Sequence, residues 1–105
     1  MSDTDILELI RQGRDERAFA KLYTHFPKVR RLVRDNSGSS DDAKDVFQDA
    51  LIVFHRKARS AEFILTSSIS TYLFSVCRNL WHEELRRRNR SMSRWEVEDV
   101  PEEPV

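Results

Sequence analysis

The stretch from Asp42 to Phe54, DAKDVFQDALIVF, constrains the fold of this chain more than any other. Its apolar residues recur at steps of three and four, the period of an α-helix with one buried face. A second stripe with the same spacing lies around the helix from that face, where its members are neighbours on the surface. This outer stripe carries two carboxylates, an amide and an isoleucine: Asp45, Gln48, Asp49 and Ile52. The stretch therefore predicts a helix with one face in a core and an outer stripe of mixed chemistry.

The chain before this stretch is also predicted to be helical. A short helix is expected over residues 5–12, with Asp5 and Glu8 as its capping box. A second helix is expected to begin near Asp15, whose side chain can cap the free N–H groups. Pro27 is expected to kink or restart that helix, because proline lacks the N–H and clashes with the preceding turn.

The chain after residue 34 continues in the same way. Residues 35–42, DNSGSSDD, are predicted to form a loop, with Ser40 or Asp41 as the cap of the third helix. That helix runs to about Ala58, and a loop with capping serines leads to a fourth helix from about Ser70 to Arg90. The predicted fold is all-α, a compact bundle of three main helices plus a short N-terminal helix.

A single core is predicted where the second, third and fourth helices meet. Its members are apolar and lie on the inward stripe of each helix. They are Phe19, Leu22, Val46, Phe47, Leu51, Phe54, Leu73, Val76 and Leu80.

The fourth helix has two faces of different chemistry. At 100° per residue its core-facing arc contains Ile69, Leu73, Val76 and Leu80, with Cys77 beside them. The opposite arc is polar and contains Thr71, Ser75, Arg78, Asn79, His82 and Arg86. Cations, amides and hydroxyls beside aromatic rings are suited to single-stranded nucleic acid. Phe74 is expected in the core, whereas Trp81 suits the core and a ligand face equally well.

Charge is unevenly distributed along a chain whose net charge is zero. The residues up to Arg94 carry +5, and the last eleven, WEVEDVPEEPV, carry −5. Residues 78–94 hold six arginines and two glutamates. A basic helix end followed by an acidic segment with prolines indicates a polyanion-binding element and then a linker. A solvated helix face with a frayed tail explains the charges equally well.

The sequence contains little that suggests catalysis. The three histidines lie on three different segments, without the close pairing of a metal-binding helix. Cys77 is on an inward stripe and is the one cysteine, which suits a reducing compartment. No glycine-rich phosphate loop, secretory signal or apolar run of bilayer length is present. We expect a cytoplasmic protein without membrane insertion that is not an enzyme, with no cofactor and no metal.

Three ordered motifs run along the chain: GRDERAFAKLYTHF at residues 13–26, SDDAKDVFQDALIVFHR at residues 40–56 and SSISTYLFSVCRNLWHEELRRR at residues 67–88. Together they resemble the extracytoplasmic-function (ECF) sigma factors of bacterial RNA polymerase, in their sigma-70 region 2 domain. The resemblance covers about residues 5–90. It implies a factor for transcription initiation that docks on core polymerase and recognises and helps to melt the promoter minus-ten element.

The resemblance also implies roles for individual residues. The third helix would dock on the coiled coil of the polymerase β′ subunit through Asp42, Asp45, Gln48, Asp49 and Ile52. The fourth helix would bind the non-template strand of the minus-ten element through Tyr72, Ser75, Arg78, Asn79, His82, Arg86 and Arg87. The loop at residues 60–68 would capture a base. An anti-sigma factor is a further candidate partner.

The chain departs from the family pattern in a few places. Asp49 stands where the family has glutamate, Glu84 where an apolar residue is common, and Trp81 where a smaller residue is usual. Full members carry a second, helix-turn-helix domain that nothing here can form. We therefore expect residues 1–92 to be the region 2 domain of a longer protein and residues 93–105 to begin an acidic linker.

Two other classes of protein remain as alternatives. One is a helical protein-interaction or regulatory module that uses the Asp45 stripe and does not bind DNA. The other is a nucleic-acid-binding domain that works without polymerase. The arginines of the fourth helix argue against the protein-interaction module. The acidic stripe argues against the nucleic-acid-binding domain.

Overall fold

Helices form every regular element of the part of the chain that the structure describes. The computed structural model describes residues 1–60 and 62–96, with side chains as far as residue 89. The elements in chain order are α1 (Asp3–Arg11), α2 (Asp15–Leu22), a 3-10 turn (Tyr23–His25), α3 (Phe26–Asp35), α4 (Ser40–Ala58) and α5 (Ile69–Glu96). The all-α prediction is confirmed. Helix α5 extends past the predicted end at Arg90, and residues 97–105 of the predicted linker lie outside the described residues.

Two capping boxes set where α1 and α4 begin, and both differ from the predicted caps. Ser2 caps α1 with Asp5 as its reciprocal partner, so the predicted pair of Asp5 and Glu8 was wrong. Ser39 caps α4 with Asp42, so the cap is neither of the two predicted residues, Ser40 and Asp41. The cap residue must be extended and lie outside the helix while the residue three positions on is already helical. Ser39, at φ −101° and ψ 173°, meets that condition.

The segment predicted as one interrupted helix is divided into α2 and α3. Pro27 lies in the first turn of α3, where its missing N–H costs nothing, and the 3-10 turn carries the chain between the helices. Asp15 does not cap α2, since it is already the first helical residue. Its carboxylate Oδ2 instead lies 3.0 Å from Nε2 of His55 on α4.

The core lies where α2, α3, α4 and α5 meet, and α1 adds three buried residues to it. Six of the nine predicted core residues are buried, and Phe19, Val76 and Leu80 pack half-buried at its edge. The centre of the buried stripe on α5 was therefore placed wrongly. The buried line runs at four-residue steps through Ile69, Leu73, Cys77 and Trp81.

Trp81 is in the core because the loop between α3 and α4 covers it. Its side chain is 1% exposed, and its indole N–H donates a 2.9 Å hydrogen bond to the carbonyl of Asn36. Gly38, in the same loop, approaches the indole so closely that a Cβ there would lie 2.6 Å from its Cζ2. The question that the sequence left open is settled in favour of the core.

The first turn of α5 is anchored to α1. The Thr71 N–H donates to Oγ of Ser68 at 3.0 Å, so a loop serine caps the helix as expected. The Ile69 N–H donates to Oδ2 of Asp3 at 2.9 Å. The hydrogen bond to Asp3 holds the start of α5 against the N-terminal helix.

Candidate functional site

The outer stripe of α4 is exposed, as the helical spacing predicted. Asp45, Gln48 and Asp49 are exposed, and the side chain of Ile52 is 54% exposed. Within the described residues neither aspartate forms an ion pair. The stripe thus offers two free carboxylates, an amide and an apolar side chain on one face.

Asp42 lies at the start of the same helix but has a different environment. Its Oδ2 accepts a 2.9 Å hydrogen bond from the Ser39 N–H, and its Oδ1 accepts one of 2.9 Å from Nη2 of Arg88 on α5. The Arg88 guanidinium, followed by the Ser39 N–H, holds the pKa of Asp42 below its usual value. Asp42 is therefore half-buried and already engaged within the chain.

Arg88 is a residue whose role the sequence reasoning missed. Its guanidinium lies 5.0 Å from the ring centre of Trp81, within reach of a cation–π interaction, and its Nε donates to Glu84 at 2.8 Å. Arg87 also donates to Glu84, and these two arginines lower the pKa of that glutamate. The four-residue spacing of Glu84 and Arg88 was a signal for this pair.

A groove of about 710 Å³ separates the outer stripe of α4 from the basic end of α5. The α4 side of the groove is acidic, and the α5 side carries three arginines together with Glu83, Glu84 and Trp81. The predicted polymerase and DNA residues that line it are Asp42, Asp45, Gln48, Asp49, Arg86 and Arg87. The fold therefore brings the ends of the two predicted sites together, although the sites lie on different helices.

The predicted DNA-binding residues on α5 differ in their exposure and in their contacts within the chain. Arg78, Asn79 and Arg86 are exposed, whereas Ser75 and His82 are half-buried. Arg87 is exposed but paired with Glu84. Tyr72 is half-buried, with its ring centre 5.7 Å from that of Phe54 and 5.9 Å from that of Phe63.

The loop before α5 presents one apolar side chain to solvent. Ile64 is 77% exposed, while Phe63 and Leu65 on either side of it pack against the core. The aromatic contact of Phe63 with Tyr72 links this loop to the predicted DNA face.

Other kinds of site have less support in the described residues. In residues 1–60 and 62–96, no three histidine, cysteine or acidic side chains are grouped as a metal site would require. Over the same ranges no helix has the length and apolar character needed to span a membrane. Burial raises the pKa of Cys77 to about 12, so its thiol stays protonated at neutral pH.

Comparisons with known proteins agree with the motifs. A family model described as Sigma-70 region 2 matches residues 22–91. The ECF RNA polymerase sigma factor RpoE of Cereibacter sphaeroides is 31% identical over 83 residues, which are 78% of this chain and 45% of that protein. The ECF RNA polymerase sigma factor SigM of Mycobacterium tuberculosis is 36% identical over 87 residues, which are 82% of this chain and 43% of that protein.

The chain spans less than half the length of these curated relatives. No solved structure matches it significantly. The matched residues include α3, α4 and the described side chains of α5, the elements that form the groove and both candidate surfaces. Together with the all-helical fold, the match shows that this chain belongs to the Sigma-70 region 2 family of sigma factors.

Proposed function

We propose that this chain is the part of an ECF sigma factor that docks on core RNA polymerase and binds the promoter minus-ten element. Polymerase would be contacted through the outer stripe of α4, and the non-template strand through α5. The assignment of these roles to residues rests on the positions of the family motifs and on the chemistry of the two surfaces.

The observation that carries the proposal is the free outer stripe of α4. Asp45 and Asp49 are exposed without an ion pair in the described residues, and Ile52 lies beside them with half its side chain in water. Carboxylates of this kind form strong charge-assisted bonds with arginines of a partner, and apolar neighbours exclude water from those bonds. A coiled coil that presents arginines would suit this stripe.

The exposed side chains of α5 support the DNA half of the proposal. Arg78 and Arg86 can neutralise phosphates, and the amide of Asn79 can reach base edges. Arg87 is paired with Glu84, so we expect it to contribute less to DNA binding than the sequence suggested. The ring of Tyr72 is half-buried against Phe54 and Phe63, so it has less surface for stacking on a base than an exposed ring would have.

Competition for core polymerase tests the docking surface. Gln48→Ala combined with Asp49→Ala removes an amide and a carboxylate from the stripe without touching the core. Loss of one charge-assisted bond, worth about 1.5 to 3 kcal/mol, should weaken binding by about tenfold or more.

The matched control is Glu8→Ala on α1 combined with Gln12→Ala at its C-terminal cap, which removes a carboxylate and an amide from exposed positions. The control pair should compete like the unmodified chain. Equal competition by both double variants would show that the α4 stripe does not contact polymerase.

A further inference from the structure

The outer face of α3 carries a dense group of cations that the proposed function does not use. Val29 and Val33 are buried on the inner face. The exposed face holds four basic residues and one acid: Lys28, Arg30, Arg31, Arg34 and Asp35. This basic face of α3, defined by Lys28, Arg30, Arg31 and Arg34, is one of the most strongly charged surfaces in the described residues.

None of the four cations forms an ion pair within residues 1–60 and 62–96. They stand three and four residues apart, so Lys28 neighbours Arg31 and Arg34 neighbours both Arg30 and Arg31. Like charges at these spacings destabilise a helix. The arginines at the end of α5 differ, since Arg87 and Arg88 are paired with carboxylates.

The first turn of α3 adds to this repulsion. Helices α1, α2 and α4 each begin with two acidic residues, which suit the positive end of the helix dipole. Helix α3 begins with none and has Lys28 near that end instead. Asp35 is the one acidic residue of this face, so the four cations outnumber it, and an external polyanion would compensate the excess charge.

The basic face of α3 adjoins the exposed face of α5. Nζ of Lys28 lies 6.0 Å from the ring centre of Phe74 on α5. Arg78 follows Phe74 by four residues and is exposed, so it is the next side chain along that edge. Through Lys28 the basic face of α3 thus meets the surface that includes Arg78. None of its four cations lines the groove that holds Asp45 and Asp49.

We propose that the basic face of α3 binds the phosphate backbone of double-stranded DNA, beside the strand that α5 captures. This inference rests on the proposed function. The six steps from Lys28 to Arg34 rise about 9 Å along the helix, and duplex DNA presents one phosphate charge per about 1.7 Å of its axis. Contacts of this kind position a protein on DNA but do not read the base sequence, because they reach only the phosphate backbone.

The experiment measures binding of the whole chain to a duplex of arbitrary sequence at several salt concentrations. The test variant combines Arg30→Gln, Arg31→Gln and Arg34→Gln. The control combines Arg56→Gln, Lys57→Gln and Arg59→Gln, exposed cations at the far end of α4, and changes the net charge equally. A third variant with lysine at positions 30, 31 and 34 keeps the charge.

The test variant should bind the duplex at least about tenfold more weakly at 0.1 M salt. A plot of log affinity against log salt concentration should also become shallower, by about 0.9 for each lost phosphate contact and by up to about 2.7 in total. The control should change affinity by less than about twofold, and the lysine variant should keep most of the slope. Equal losses in test and control would mean that only net charge matters and would overturn the inference. So would unchanged duplex binding.

Polymerase competition by the same variants separates this inference from the proposed function. The α3 test variant should compete for core polymerase like the unmodified chain. Loss of polymerase binding with duplex binding intact would assign the face to a protein partner and would contradict our inference. Failure of the unmodified chain to bind polymerase would instead remove the proposed function, and the duplex measurement would still decide what α3 binds.

Discussion

Asp42 and Arg88 form an ion pair with an Oδ1–Nη2 distance of 2.9 Å, although 46 residues separate them in the chain. The pair joins the first turn of α4 to the basic end of α5. Asp42 also completes the capping box of α4, so one carboxylate contributes to both the helix start and the helix–helix contact. The candidate polymerase stripe and the candidate DNA helix are thus tied together at one end.

The ion pair predicts a loss of stability in acid. The folded-state pKa of Asp42 lies below its usual 3.8, and that of Glu84 lies below its usual 4.5. A lowered carboxyl pKa contributes stability that is complete above the usual value and lost as pH falls through the folded value. The free energy of unfolding in urea should therefore fall as pH drops below 4.5 and then 3.8.

Asp42→Asn separates this effect from general acid unfolding. The variant should be less stable than the unmodified chain at neutral pH, and the difference should shrink as pH falls below 3.8. Asp45→Asn is the control, since Asp45 has no ion pair among the described residues. Equal stability of Asp42→Asn and the unmodified chain at neutral pH would contradict a stabilising role for the pair.

The second prediction concerns Phe47, which is completely buried on α4 and makes edge contacts with the rings of Tyr23 and Phe26. Phe47→Ala should lower the free energy of unfolding by about 3 to 5 kcal/mol, because the cavity cannot fully collapse. Ile52→Ala on the exposed stripe should change it by less than about 0.5 kcal/mol. Denaturant titration of both variants measures the difference, and similar midpoints would show that the faces of α4 are assigned wrongly.

The third prediction concerns Gly38. An alanine Cβ at this position would clash with Cγ1 of Val33 and lie 2.6 Å from Trp81, so Gly38→Ala should cost about 1 to 3 kcal/mol. Thermal melting with a Gly38→Ala and Val33→Ala double variant checks the cause. The double variant should lose less stability than the two single variants lose in sum, because removal of Cγ1 from Val33 makes room for the new methyl group. Strict additivity would mean that the clash is not with Val33.

The fourth prediction concerns DNA recognition by α5. Asn79→Ala should cost about 1 to 3 kcal/mol for the preferred minus-ten sequence and little for altered ones, because an amide reads base edges. Arg86→Ala should weaken binding to every sequence and reduce the salt slope by about 0.7, the value for one phosphate of a single strand. Promoter opening by holoenzyme with the full-length factor, on matched and altered elements, compares the two. If Asn79→Ala opens all templates normally, the loop with exposed Ile64 becomes the better candidate for base reading.

Local physical signals in the sequence determined the fold class and the exposed stripe of α4. The three- and four-residue spacing of apolar residues correctly predicted α4 and the exposed stripe at Asp45, Gln48 and Asp49. Pro27 correctly marked the division between α2 and α3. These features depend on backbone geometry within one or two turns, and a single sequence contains that information.

The tertiary structure decided what depends on contacts between distant segments. Trp81 became a core residue because the loop at Asn36 and Gly38 folds over it and accepts its hydrogen bond. Asp42 became an internal ion-pair partner because α5 brings Arg88 to it, while the cations of α3 were left unpaired within the described residues. Helical spacing cannot determine these outcomes, because it gives the direction of a side chain and not the element that will face it.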